Sequence, residues 1–138
     1  MCLDYELTKS RADKIKAEAK RRGYIRVWKV CKEKQTGWFM GKIWEKGLRK
    51  AICLEEPDGG WYAYLSLSGA KAFTKPYRKG WVFIKVCYAK PQWIKRLGKG
   101  ISTRVKGDVG IFTHLCFPNW DKGDMTIREF RAMCKGKK

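Results

Sequence analysis

The sequence is poor in the residues from which catalytic and metal sites are usually built. Its 138 residues include one histidine, His114, and its six cysteines contain no Cys-x-x-Cys pair. A structural zinc site therefore lacks its usual ligands, and a histidine-activated nucleophile has one candidate base, which sits among apolar neighbours. No apolar run approaches the roughly 18 residues of a membrane span. We expect no metal, no cofactor, no catalytic residue and no membrane partner.

The sequence also has no clustered cysteines, and its first residues predict no secretory leader. The six cysteines are spread along the chain, and several lie inside apolar, strand-like stretches, which is typical of reduced and packed thiols. The first residues, MCLDYELTKSR, carry two acids and no apolar segment, unlike a signal peptide. These features predict a cytoplasmic protein.

Acidic residues are scarce as well, and this gives the sequence its strongest signal. Thirteen Asp and Glu stand against 32 Lys and Arg, a formal net charge of +19. Such a field attracts polyanions and speeds their capture. The chain is nevertheless 44% apolar and carries seven tryptophans, which predicts a folded domain rather than a basic tail. The expected partner is nucleic acid, a nucleotide or an acidic protein surface.

Hydrophobic periodicity predicts an α+β fold in one compact domain. Its core is a mostly antiparallel sheet of about five strands, accompanied by an N-terminal helix, a short middle helix and a short C-terminal helix. Within residues 1–138, we expect a basic helix at 1–23, the sheet core at 24–117, the C-terminal helix at 126–134 and a frayed tail at 135–138.

Capping residues mark where these helices begin and end. Ser10 is the expected N-cap of the first helix, and Gly23 the residue that ends it. Ser66 or Ser68 is the natural N-cap of the middle helix. A capping box that includes Glu129 opens the last helix. Residues 91–98 are expected to form one or two helical turns and residues 98–108 a basic loop.

The strand predicted for residues 24–32 alternates in character and so has two distinct faces. One face carries Ile25, Val27, Lys29 and Cys31, and the other carries Tyr24, Arg26, Trp28 and Val30.

Basic and aromatic residues alternate at several places, a pattern suited to single-stranded nucleic acid, whose bases stack on rings while cations hold phosphates. Residues 98–103 loosely resemble a phosphate loop but depart from the Walker pattern, because Lys99 is followed by glycine. The stacking candidates are Trp28, Trp44 and Trp93. The phosphate-binding candidates are Arg26, Lys42, Lys79, Lys95, Arg96, Lys99, Arg104 and Lys106.

Residues 60–73, GWYAYLSLSGAKAF, predict a strand that leaves a glycine turn and runs into a capped helix. If a ligand pocket forms at the end of this strand, its expected walls are Tyr62, Tyr64 and Ser66.

Four segments resemble small accessory proteins of phages and prophages. These segments are Met1-Cys2-Leu3, the strand YIRVWKV at 24–30, the glycine–aromatic stretch at 60–73 and the strand VFIKV at 82–86. Tyr62 stands where that family tends to carry a histidine, which argues against a catalytic role at this position.

The resemblance implies a counter-defence protein, acting in the host cytoplasm, that inhibits by binding rather than by turnover. The leading expectation is anti-CRISPR-like inhibition, in which the protein binds RNA or a host defence ribonucleoprotein. The alternatives are a sponge for a cyclic or linear nucleotide signal, an inhibitor docking on a protein, and an enzyme. The strand order also faintly resembles ADP-ribosyltransferases, where Tyr64 and Ser66 would line the cleft and Glu129 would be the late glutamate. A homo-oligomer stays open.

Overall fold

The computed structural model describes residues 3–32, 47–51, 55, 59–75, 82–100, 107–118 and 124–136. The helices are α1 (Lys9–Arg22), α2 (Leu67–Thr74) and α3 (Ile127–Gly136), and a 3-10 turn spans Pro91–Trp93. The strands are β1 (Leu3–Glu6), β2 (Ile25–Lys32), β3 (Gly47–Lys50), β4 (Trp61–Tyr64), β5 (Val82–Ala89), β6 (Ile94–Gly100), β7 (Asp108–Phe112) and β8 (His114–Phe117).

The predicted α+β class is confirmed, but the described residues form a sheet of eight strands rather than about five. Part of the difference is β6, because residues 94–100 form a strand where we expected helical turns and a loop. Only Pro91–Trp93 is helical there. Pairing with β1 on one side and β7 on the other supplies hydrogen bonds that a short isolated helix would lack.

The strands form one sheet in the order β1-β6-β7-β4-β2-β5-β8-β3, and every described pair is antiparallel. Only Thr113 separates β7 from β8, and its amide donates to the carbonyl of Trp93 over 2.9 Å. β7 pairs with β4, and β8 pairs with β5. The order β7-β4-β2-β5-β8 therefore begins and ends on two strands that follow each other directly in the sequence. The sheet therefore curls around an inner face.

The inner face of the sheet holds the largest described core cluster. It combines alternate residues of β2, among them Val27 and Cys31, with Trp61, Phe112 and Phe117. The Trp61 and Phe117 rings meet edge to face, with centroids 5.1 Å apart. The predicted two-faced character of β2 is confirmed, and it places the lysine between Val27 and Cys31 on this apolar side.

The outer face of the sheet is covered by α2 and α3. Ala70 and Phe73 of α2 pack against Tyr64 and Ile111. The second outer cluster includes Phe130 of α3, whose ring contacts those of Tyr24, Tyr88 and Trp93.

The helix ends agree with the predicted caps in part. Gly23 ends α1 with a left-handed φ of 84°, as expected, but the N-cap is Thr8, whose Oγ1 accepts from the amide of Arg11 over 3.3 Å. The helix thus begins at Lys9, two positions before the start that a Ser10 cap predicts, and Leu3–Glu6, within the helix expected at 1–23, forms strand β1 instead. Ser66 caps α2. The capping box of Glu129 forms, and α3 continues to Gly136, into the predicted tail.

Candidate ligand-binding cleft and basic surface

A cleft of about 630 Å³ opens where α1 meets one end of the sheet. Its base is apolar and consists of Ile15 from α1, Ile25 at the start of β2 and Leu65 just after β4. Ile25 and Leu65 extend the inner-face core cluster towards solvent. The volume falls in the range of sites for small ligands, which combine an apolar lining with a few directed polar groups.

One wall of the cleft is the first turn of α2. Ser66 Oγ accepts hydrogen bonds from the amide of Gly69 over 3.2 Å and from the hydroxyl of Ser68 over 3.3 Å. Both serines line the cleft. The first amides of a helix have no acceptor within the helix, so this turn presents donors and the positive end of the helix dipole.

A close contact between two glycines fixes this wall against the sheet. A Cβ atom added to Gly107 would lie 2.9 Å from the Cα of Gly69, closer than real Cβ atoms come to backbone. Gly107 precedes β7 and also lines the cleft. Glycine at both positions therefore allows the helix and the strand to meet backbone to backbone.

The rim of the cleft carries two cations and one carboxylate. Arg11 donates from Nε to Asp108 Oδ2 over 2.8 Å, and its Nη2 reaches the same oxygen. Asp108 and Lys99 are cross-strand partners in the β6–β7 pair, so their side chains share a face. Lys99 is exposed and makes no ion pair with the described carboxylates. The cleft is left with a net positive charge.

Helix α1 extends this positive charge along the surface. Its sequence, KSRADKIKAEAKRR, has seven cations and two acids, and Ala19 is its one fully buried residue. Glu18 pairs with Arg21 and Arg22, and the hydrogen bond from Arg21 lowers the pKa of Glu18. Four exposed lysines of α1 have no described carboxylate within ion-pair distance. We call these the α1 lysines: Lys9, Lys14, Lys16 and Lys20.

The predicted phosphate-binding residues of β6 are divided by the structure. Lys99 lines the cleft, whereas Lys95 donates to the carbonyl of Gly59 over 2.7 Å and Arg96 pairs with Glu6 at 3.1 Å. Five other residues that we predicted to bind phosphate or to stack on bases lie outside the described residues: Lys42, Trp44, Lys79, Arg104 and Lys106.

The two described stacking candidates, Trp28 and Trp93, are half-buried, and each ring is already in contact with a basic side chain. The guanidinium of Arg26 lies 5.2 Å from the Trp28 ring centre, and Lys90 Nζ lies 5.7 Å from that of Trp93. Both rings also pack in the outer clusters. A base could reach them only by displacing or sharing these cation–π contacts.

Of the three predicted pocket walls, only Ser66 lines the cleft. Tyr64 is 2% exposed and packs against Phe73 under α2, and Tyr62 belongs to the same outer cluster. Ser66 does line the cleft. Leu65, which sequence reasoning missed, lines it from the inner face, and the two-residue alternation along β4 was the signal that separates it from the tyrosines.

Arg11, Ile15 and Asp108 were missed as well, for two different reasons. The first two are spaced i, i+4 on α1 and therefore share a side of the helix, a signal available from sequence. Asp108 lies 97 residues from Arg11 along the chain. Nothing local in the sequence indicates that pairing.

A buried lysine lies on the inner face, outside the cleft. Lys29 is 7% exposed, and burial lowers its pKa. The neighbouring thiols of Cys31 and Cys87 have raised pKa values, also because of burial. Their protonated forms are favoured, so these thiols are poor nucleophiles at neutral pH.

The single histidine is a packed residue with a local hydrogen bond. His114 Nδ1 lies 2.9 Å from Thr113 Oγ1, and its ring sits 5.3 Å from that of Trp93. Partial burial, and then the charge of Lys50, lower the pKa of His114. Within the described ranges, no group of three potential metal ligands comes together. No helix in the described part of the chain is both long and apolar enough to cross a membrane.

Comparisons with protein-family models, with curated proteins and with solved structures find no match for this chain.

Proposed function

We propose that the protein binds a phosphate-rich ligand and that its first target is RNA, free or within a host defence ribonucleoprotein. The α1 lysines and the adjoining cleft carry this proposal. Lys9, Lys16 and Lys20 lie on one side of the helix at 3.6 residues per turn and have no described acidic partner, so they offer a row of contacts for successive phosphates, whereas Lys14 lies on another side. Neutralising phosphates releases counterions, which gives sequence-independent affinity.

The way α1 is held supports this role. Its apolar side faces the fold through Ala19 and Ile15, so most of its surface is available to a partner. Arg11, by contrast, is tied to Asp108 and contributes to the shape of the cleft rather than to free charge. The proposed surface is thus an exposed side of a capped helix that presents lysine side chains to solvent.

The counter-defence part of the proposal comes from the resemblance of four sequence segments to phage accessory proteins. A stoichiometric inhibitor in the host cytoplasm needs a binding surface and no catalytic group. Glu129, the late glutamate of the enzyme alternative, bonds through Oε1 to its own helix cap at Thr126. We therefore place binding without turnover first.

A second candidate function is a sponge for a small nucleotide signal, and the cleft volume favours it. About 630 Å³ accommodates a nucleotide, and the apolar base and polar rim suit an amphipathic ligand. Such binding would show a discrete stoichiometry and a modest dependence on salt, because few phosphates are neutralised.

The test is to purify the protein at low salt, record its absorbance ratio at 260 and 280 nm, and identify what denaturation releases. A nuclease-sensitive polymer that dissociates in high salt is the expected result. A small nucleotide retained in high salt would replace RNA by the second candidate.

A charge-reversed pair makes this test specific to the surface. Lys16→Glu with Lys20→Glu should remove most of the polymer. Lys71→Glu with Lys75→Glu on α2 changes the net charge equally and should retain it. Equal loss in both variants would show that only total charge matters and would contradict a binding surface on α1.

A further inference from the structure

We infer that the cleft is a site for one nucleotide unit with a terminal phosphate, supplied either as a free nucleoside monophosphate or as the phosphorylated end of an RNA strand. The inference rests on the proposed phosphate-rich ligand and assigns a different task to the cleft. The α1 lysines provide general attraction, and the cleft recognises a single unit.

The phosphate group fits the wall formed by α2. Ser66 Oγ already accepts two hydrogen bonds, so its own proton is left to donate to a ligand. Ser68 and exposed Lys99 also line the cleft. Ser68 donates its proton to Ser66, so the donors left for a phosphate are the Ser66 hydroxyl, the Lys99 ammonium group and the amides of the first turn of α2 other than that of Gly69.

The rest of the nucleotide fits the remaining surface. Ile15, Ile25 and Leu65 supply an apolar base on which one face of a nucleobase can lie. Asp108 is held by Arg11, yet its Oδ1 oxygen has no described hydrogen-bond donor. A carboxylate oxygen in this position accepts from ribose hydroxyls or from a base amino group.

The charge of the cleft favours a terminal phosphate over an internal one. A terminal monophosphate has three free oxygens and close to two negative charges at neutral pH, whereas an internal phosphodiester has two free oxygens and one charge. The cleft lining carries a net positive charge, and the first turn of α2 adds the positive end of its helix dipole. Both attract the terminal group more strongly, because the attraction grows with the charge of the ligand.

The experiment is calorimetric titration of the full chain with AMP, UMP, adenosine and inorganic phosphate, and with one short RNA prepared with and without a 5′-phosphate. We expect the phosphorylated member of each pair to bind at least about tenfold tighter, because charge-assisted hydrogen bonds are lost without it. Tight AMP or UMP binding identifies a free nucleotide, and binding of the phosphorylated RNA alone identifies a strand end.

A variant with a matched control locates the site. Ser68→Glu puts a carboxylate beside the proposed phosphate, and an acid in the first turn suits the helix dipole, so the fold is kept. It should weaken binding of the preferred ligand by about tenfold or more. Ala72→Glu adds the same charge to an exposed position of α2 that does not line the cleft, and it should leave affinity within about twofold.

Two results would overturn the inference: equal affinity for phosphorylated and unphosphorylated partners, or unchanged affinity in Ser68→Glu. These failures differ from a failure of the proposed function. If long RNA binds with steep salt dependence but no phosphate end is preferred, the cleft assignment alone is wrong. If a monophosphate binds while long RNA does not, the RNA proposal is wrong and the cleft assignment remains.

Discussion

Replacing Gly107 by alanine adds a methyl group at the tightest backbone contact of the cleft. The new Cβ would lie 2.9 Å from Gly69 Cα and 3.3 Å from Tyr64 Cδ1. Ordinary carbon–carbon contacts are about 3.5–4.0 Å, so the start of β7 and the first turn of α2 must separate by roughly 0.6–1.1 Å. The neighbour is backbone and cannot turn aside as a flexible side chain would.

The expected cost follows from overpacking of a well-packed site, about 1–3 kcal/mol. Alanine also restricts the unfolded chain, which offsets about 0.4–1 kcal/mol. The net loss in the free energy of unfolding is therefore on the order of 1–2 kcal/mol. For a domain of this length, that lowers the melting temperature by roughly 3–10 °C.

Thermal and urea unfolding of Gly107→Ala, Gly69→Ala and the wild type measure this effect. Gly69→Ala is the control, because its Cβ would stay 3.2 Å from the nearest atoms and alanine improves helix propensity by up to about 1 kcal/mol. We expect Gly107→Ala to be the less stable of the two. Wild-type stability in Gly107→Ala, or the reverse order, would refute the backbone contact.

Three further predictions test the core. Phe130→Ala should cost about 3–5 kcal/mol in urea unfolding, because this ring contacts three other aromatic rings, whereas exposed Arg131→Ala should stay within about 0.5 kcal/mol; a loss below 1 kcal/mol for the first would contradict the packing of α3. Lys29→Met should stabilise the fold at pH 7 by on the order of 1–3 kcal/mol. Because the pKa of Lys29 is lowered in the folded chain, the unfolded chain binds more protons at this group as the pH rises towards 10.5, so the destabilising contribution of Lys29 and with it the advantage of the variant should shrink from pH 7 to pH 9.5. The buried thiols, whose raised pKa values lower stability as pH rises, are present in both proteins and affect both alike, so a constant stability difference between the two would show that Lys29 is not desolvated. Iodoacetamide at pH 8 should modify half-buried Cys134 before Cys116, whose pKa burial raises to about 12; equal labelling by mass spectrometry would contradict that burial.

Much of the local structure could be predicted because its signals are local. Alternation along β2 gave both faces correctly, including the position of Lys29. Gly23, Ser66 and Glu129 marked helix boundaries through side-chain or left-handed caps that depend on only a few neighbouring residues.

What could not be predicted depends on distant contacts. The strand β6 has a proline-led start and glycines that suggest a turn and a loop, and pairing with two other strands overrides them. The cleft needs Arg11 and Asp108 to meet across most of the chain, and it needs α1 to lie at the sheet end beside Leu65. The chemistry of Tyr64 predicts a pocket wall, but the pleat of β4 directs its side chain to the outer face of the sheet.

The most direct test of the central claim is the affinity of fluorescently labelled single-stranded RNA between 50 and 200 mM salt, measured by anisotropy. If Lys9, Lys16 and Lys20 contact three phosphates, the logarithm of affinity should fall with the logarithm of salt at a slope near about −2, a loss of roughly 20-fold. Lys16→Glu with Lys20→Glu should flatten the slope, and Lys71→Glu with Lys75→Glu should not. An affinity that changes by less than about twofold over this range would contradict phosphate recognition by α1.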